Sequence, residues 1–174
     1  MSSSAYSTHK LVLMGLSSWL SFGGRPVKKV LELGCGSAST PLFLNRQAFP
    51  ELESLVSMET NPDWAHAISL LFGGDQRLNI CVHASEEALL QDSKLFAPYD
   101  VALIDGATNE GRIVAIPQCL EMARFVVVHD TQEPELECVR NMAPHSVTSV
   151  IERPWTTVLS LHEPPFGFGG LTNG

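Results

Sequence analysis

Between residues 27 and 161 the chain alternates short apolar runs with helix-like segments, and that alternation leaves few folds open. Apolar runs at 27–33, 54–58, 78–82, 101–104 and 125–128 read as strands. Segments 39–49, 64–72, 86–90, 113–122 and 134–142 read as helices. Each strand run is apolar at successive positions, so both of its faces are buried, as in parallel strands covered by helices on both sides. Crossovers are expected to be right-handed. Two further β-rich runs, 147–151 and 157–161, are joined only by Glu152-Arg153-Pro154-Trp155. So short a link can join antiparallel strands but cannot hold a helical crossover. The reading is an α/β chain with a seven-stranded, mostly parallel sheet, helices on both faces and one antiparallel strand near the C-terminus.

Local signals place the boundaries. Asn61 caps a helix whose first position is Pro62, and Gly73-Gly74 stops it. Ser85 caps the next one, and Pro117 makes the segment 113–122 a weak helix that starts late. Val12, Leu16, Trp19 and Leu20 fall on one face of a helix that ends before the breaker cluster Gly23-Gly24-Arg25-Pro26. With 174 residues the chain reads as a single domain: an N-terminal helix within 1–24, a core at 27–162, and a flexible tail at 163–174 rich in Gly and Pro.

Charge and cysteines narrow the partners. Eleven Lys and Arg against 19 Asp and Glu give a net charge of −8, which argues against a broad nucleic-acid or anionic-membrane surface. No apolar run reaches the roughly 18 residues of a membrane span. The apolar stretch 11–22 is interrupted by Gly and Ser and has no A-x-A site after it, so it reads as an amphipathic helix and not as a signal peptide. Cys35, Cys81, Cys119 and Cys138 form no CxxC pair and no zinc-ligand spacing, as expected of reduced thiols in a cytoplasmic protein.

In such sheets ligands sit beyond the carboxyl ends of the strands, where the strand order reverses. The first strand ends Glu32-Leu33-Gly34-Cys35-Gly36-Ser37-Ala38-Ser39. Glycines there permit either a tight strand-to-helix turn or close approach of the backbone to an anionic ligand at the helix N-terminus. The second strand ends at Glu59, 23 residues after Gly36. An acid so placed can accept from both hydroxyls of a ribose, or complement the N-terminus of the next helix. The loop and the acid together favour an adenosine-type ligand. The fourth strand ends at Asp105 and the fifth at His129-Asp130-Thr131. Acids at neighbouring strand ends could hold a hard divalent cation. His129 is the candidate base, because histidine exchanges protons near neutral pH. His83, Trp64 and Arg112 read as a satisfied strand-end histidine, a core or cofactor-edge aromatic and a solvated loop charge; Trp155 at the cleft rim could stack an aromatic substrate.

The run Val30-Leu31-Glu32-Leu33-Gly34-Cys35-Gly36 resembles the first motif of class I S-adenosylmethionine-dependent methyltransferases, which carry an acid two residues before the first glycine. A third glycine, due at Ser39 in dinucleotide dehydrogenases, is absent. The resemblance covers about residues 27 to 162 and implies a Rossmann-like class I methyltransferase fold. It implies that Glu32, Gly34, Cys35, Gly36 and Ser37 surround the methionine part of S-adenosylmethionine. It also implies that Glu59 and Thr60 hold the ribose side, that Ala84, Ser85 and Glu86 flank the adenine, and that Asp105 borders the cofactor. Ala84-Ser85-Glu86 is similar to the Ala-Ser-Gln stretch of catechol O-methyltransferase-like enzymes. The metal-assisted members of that group imply a magnesium site at Asp105, Asp130 and Thr131, with Thr where the family has Asn. The family's catalytic lysine falls near Thr108, leaving Asp105 and His129 as the catalytic candidates.

The expected activity is methyl transfer to a small molecule at a hydroxyl oxygen, metal-assisted if magnesium binds. The chain shows no inserted lid segment, so a second copy completing the cleft as a homodimer is one expectation. Two alternatives stay open: a non-catalytic module that binds the same cofactor, and an NAD-dependent oxidoreductase.

Overall fold

In the computed structural model, which describes residues 8–106, 108–151 and 153–165, all seven strand runs join one sheet. Its strands are β1 (Lys29–Leu33), β2 (Ser54–Glu59), β3 (Leu78–Val82), β4 (Tyr99–Ile104), β5 (Ala123–His129), β6 (His145–Ser149) and β7 (Thr156–Ser160). They run in the order β3-β2-β1-β4-β5-β7-β6. β7 alone runs opposite to the other six strands. The strand order reverses between β1 and β4, which is where a ligand cleft is expected.

The register decides what meets at that cleft. Leu33 pairs with Met58 and with Ile104, and Ile104 pairs with Val128. The next residues along, Gly34, Glu59, Asp105 and His129, therefore stand in a row along one edge of the sheet.

Alternation along the strands builds two cores. Val30, Val101, Leu103, Phe125 and Val127 face α1 (Thr8–Phe22) and α2 (Ser39–Leu44), packing against Leu13, Leu16, Leu20, Phe43 and Phe49. Leu31, Ala102, Ile104, Val126 and Val128 face the other side and meet Ile116 and Leu120 of α5 (Asn109–Met122) and Leu89 of α4 (Glu86–Leu90). The remaining α-helix, α3 (Pro62–Phe72), is capped by Asn61, whose side chain accepts from the N–H groups of Asp63 and Trp64.

Strand β6 lies two residues before the run 147–151 read for it, and three helical segments also differ from the sequence reading. Helix α2 stops at Leu44, well short of residue 49. Asn45 turns the chain by accepting the N–H groups of Ala48 and Phe49 at its carbonyl, which brings the Phe49 ring to 5.1 Å from Phe43. Helix α5 starts at Asn109, four residues before the apolar periodicity does, because Thr108 caps it by accepting the N–H of Gly111 at 3.0 Å. Pro117 sits inside that helix, at the cost of one backbone hydrogen bond. The segment Pro134–Asn141 is a 3₁₀ helix, not an α-helix. Its two buried apolar residues, Leu136 and Val139, are three apart and match a three-residue turn.

The tail expected to be flexible begins with an anchored residue: Glu163 pairs with Arg25 at 3.0 Å and Arg124 at 2.5 Å. Residues 166–174 of that expectation, with 1–7, Ala107 and Glu152, lie outside the described residues. Among the described residues no helix is long and apolar enough to cross a membrane, and the four cysteines are free thiols.

Candidate active site

The row of strand ends opens on a cavity of about 710 Å³, within the usual range of small-molecule sites. The turn from Gly34 to Ser39 forms one wall. Trp64, Asp105, His129, Asp130, Pro154 and His9 complete it. Gly34 has φ +90°, and a Cβ there would lie 2.3 Å from the Asp105 carbonyl oxygen. This glycine is required by the protein's own packing, whatever it also allows a ligand. Trp64 reaches across the turn to donate its indole N–H to the Cys35 carbonyl at 2.5 Å.

Glu32 does not line the cavity. It is fully buried behind the turn, where one carboxylate oxygen accepts from Thr40 at 2.8 Å and from Ser57 at 2.5 Å. Thr40 in turn accepts the Gly36 N–H at 3.1 Å. Glu32 thus holds the glycine turn from below. The other carboxylate oxygen is buried and has no hydrogen-bond partner among the described residues. Burial outweighs the three hydroxyls around it and pushes its pKa up to about 7.

Glu59 already carries local work. One oxygen accepts the N–H groups of Thr60 and Asn61, both at 2.8 Å, and the other takes the Cys35 thiol at 3.6 Å. A carboxylate offers about four acceptor positions, so one remains for a ligand. Beyond Glu59 and Thr60 lies a second hollow of only about 30 Å³. It is closed by Glu86, which accepts the Thr108 hydroxyl at 2.6 Å and the Thr108 N–H at 3.2 Å. Gly111 makes room for this strap, because a Cβ there would strike the Glu86 carboxylate. Ser85 caps α4 by accepting the Ala88 N–H at 3.3 Å, and Ala84 is exposed.

On the opposite side Asp105 and His129 meet, with Nδ1 of His129 3.2 Å from Asp105 Oδ1. Asp130, at φ +61°, lies 3.6 Å from the same nitrogen. Arg112 spans both acids, at 3.0 Å from Asp130 and 3.4 Å from Asp105. It also donates to the Gly106 and His129 carbonyls at 2.8 Å and 3.2 Å. The expected solvated loop charge is therefore a buried tie between the ends of β4 and β5.

Thr131 does not join the acids. It is 1% exposed and accepts the Thr157 hydroxyl at 2.9 Å, so the expected magnesium set of Asp105, Asp130 and Thr131 is not assembled. Trp155 is not a free platform either. Its ring has Arg140 and Arg153 at 5.3 and 5.5 Å, and its backbone N–H donates to the Gln132 side chain at 2.6 Å. His83 Nε2 lies 3.4 Å from Asp92 but makes no hydrogen bond among the described residues, so the satisfied strand-end histidine expected there is not found.

The sequence reading gave His9 no role. It stands in the first turn of α1, its ring 4.5 Å from that of His129, edge to face. Burial, reinforced by the nearby His129, lowers its pKa to about 4. No local signal marks it, because its partners lie at the far end of the chain.

No family model matches the chain, and neither does any curated protein. Solved structures do. A cofactor-bound protein from MTB superposes with a TM-score of 0.64 at 17% identity, covering 92% of this chain and 84% of its own. The O-methyltransferase from Bacillus cereus, solved with SAH, gives 0.62 at 13% identity over 85% and 79%. The N-methyltransferase NodS from Bradyrhizobium japonicum gives 0.56 at 16% identity over 86% and 91%. The chain has the class I methyltransferase fold. In a methyltransferase fold of this strand order, the cavity beside Gly34 occupies the reversal point between β1 and β4.

Proposed function

We propose that the protein is an S-adenosylmethionine-dependent methyltransferase acting on a hydroxyl oxygen of a small molecule. The observation that carries this reading is the cavity itself. A glycine turn, Trp64 and an Asp105–His129 pair line one cavity of about 710 Å³.

The residues fit the cofactor in a definite order. The turn Gly34, Cys35, Gly36 and Ser37, with Trp64, would take the methionine end. The remaining acceptor position of Glu59 would take the ribose, beside Thr60. The hollow under Glu86, at the edge formed with Ala84 and Ser85, would take the adenine once the strap to Thr108 swings away. Glu32 would act through the turn it supports. The magnesium expectation does not fit, because the Thr131 hydroxyl is committed to Thr157.

When bound, the cofactor supplies a methyl group on a sulfonium, already activated for displacement. The protein's work is to align the acceptor oxygen and remove its proton. His129 takes that proton. Asp105 orients the imidazole through Nδ1 and offsets the charge it acquires, while Arg112 holds Asp105 and Asp130 in place. His9, neutral at pH 7, closes the wall without adding a competing positive charge.

Calorimetry with S-adenosylmethionine, S-adenosylhomocysteine and NAD tests the reading. The two adenosyl-sulfur compounds should bind and NAD should not. Glu59→Ala should weaken binding by about ten- to a hundredfold, from ~1.5–3 kcal/mol for hydrogen bonds to a charged group. Binding of NAD alone would move the protein to nicotinamide chemistry. Binding without turnover on any hydroxylated acceptor would make it a cofactor-binding module.

A further inference from the structure

We propose that His9, Asp105 and His129 form a site for one divalent transition-metal ion of the zinc or iron(II) type in the wall of the cavity. The three side chains come from the first turn of α1 and the ends of β4 and β5, and they offer donor atoms all within 4.8 Å of one another. Two ligands bound to one ion at ~2.1 Å lie about 2.9–3.4 Å apart, between octahedral and tetrahedral angles. His129 Nδ1 and Asp105 Oδ1, at 3.2 Å, already have that separation. The three donor atoms lie within 4.8 Å of one another, so a side-chain adjustment completes three ligands around one ion. The ion takes the place of the proton shared by His129 and Asp105.

His9 supplies the independent observation. It is 2% exposed and lines the cavity, and neither of its ring nitrogens has a hydrogen-bond partner among the described residues. A buried imidazole left in that state costs stability, and a ligand that engages it offsets the cost. Burial keeps the ring neutral at pH 7, which is the form that binds metals. Asp105 and Asp130 are balanced by Arg112, which pairs with both, and by Lys10 near His9, so the donor set and not net charge recommends an ion here.

The donor types choose the ion. Two imidazoles and one carboxylate suit zinc, iron, nickel or cobalt, whereas magnesium prefers an all-oxygen shell. With the ion in place His129 is a ligand and not the proton acceptor, so a hydroxyl bound at an open position of the ion would lose its proton more readily and pass it to solvent. That catalytic consequence rests on the methyl-transfer reading; ion binding does not.

The test uses the full chain stripped with a chelator and titrated with zinc chloride, with magnesium chloride as the control. One zinc should bind per chain and magnesium should not. Cobalt(II) should give visible absorption bands. His9→Ala and His129→Ala should each weaken zinc binding at least about tenfold, since even groups that only orient metal ligands are worth ten- to a hundredfold. Cys138→Ser, which alters an exposed thiol, should bind as the wild type does. Circular dichroism checks that each variant is folded, and His9→Gln replaces His9→Ala if the latter is not. Failure of the wild type to bind zinc at one equivalent, unchanged affinity in the folded His9 variant, or loss of binding in Cys138→Ser would each overturn the proposal. S-adenosylhomocysteine is titrated into the same protein. If it fails to bind while zinc still does, the methyl-donor reading falls and the metal site stands.

Discussion

Replacing Glu32 with Gln should change how stability depends on pH more than it changes stability at any one pH. The folded-state pKa of Glu32 is raised from 4.5 to about 7 by burial. Between those values the folded protein holds a proton that the unfolded chain has lost, so stability falls as pH rises through the window. From pH 5 to pH 8 this one group should cost the wild type about 2.5 kcal/mol, the integral of 1.36 kcal/mol per pH unit over the window. Glutamine keeps the shape and the acceptor for Thr40 and Ser57 but cannot ionise. It leaves N–H groups where the unpartnered oxygen now sits, at a penalty of about 1–3 kcal/mol that does not vary with pH. The variant should therefore be the less stable protein near pH 5 and should gain on the wild type steadily up to pH 8. Urea unfolding followed by tryptophan fluorescence at four pH values measures the difference. If the wild-type and Glu32→Gln stabilities run parallel from pH 5 to 8, the carboxyl is not ionising in a dry environment, and its placement behind the turn is wrong.

His9 gives the opposite sign. Its pKa is lowered from 6.5 to about 4, so the unfolded chain takes up a proton first and stability falls as pH drops. In chelator, His9→Leu should remove about 2 kcal/mol of that loss between pH 7 and pH 5, read from urea unfolding at both values. Gly34→Ala places a Cβ against the Asp105 carbonyl at φ +90° and should cost about 3–5 kcal/mol in unfolding experiments, with or without ligand. Gly111→Ala should push Glu86 off Thr108 and speed the association of S-adenosylhomocysteine in stopped-flow fluorescence. An unchanged rate would mean that the strap does not gate the hollow.

The central strands β1, β2, β4 and β5 were legible because each is a mostly apolar run, and the register then set their ends side by side; β6, with one apolar residue, was placed two residues late. Asn61-Pro62 and Ser85 were legible because capping is local chemistry. Helix α5 was read too short because its first turn is polar: Asn109, Glu110 and Gly111 carry no apolar period, and only Thr108 announces the start. That misreading also made Arg112 look solvated, since four residues of missing helix hid the turn that buries it. Of the candidate site residues, the row Gly34, Glu59, Asp105 and His129 could be read from strand ends alone. The commitment of Thr131 to Thr157 could not, because it depends on the antiparallel pairing of β7 with β5, which brings a hydroxyl to it from the next strand. His9 was invisible for the same reason: its partners are fixed by topology and not by neighbours in sequence.

The edge-to-face meeting of His9 with His129 joins the first described turn of a helix to a central strand paired on both sides. The first turn of a helix opens at little free-energy cost, while a central strand paired on both sides opens only with global unfolding. One half of the cleft wall can thus come away and return many times during the lifetime of a single folded molecule. Amide exchange should register this as quick labelling at Leu13, whose N–H bonds toward that turn, against long protection at Val127 and Val128.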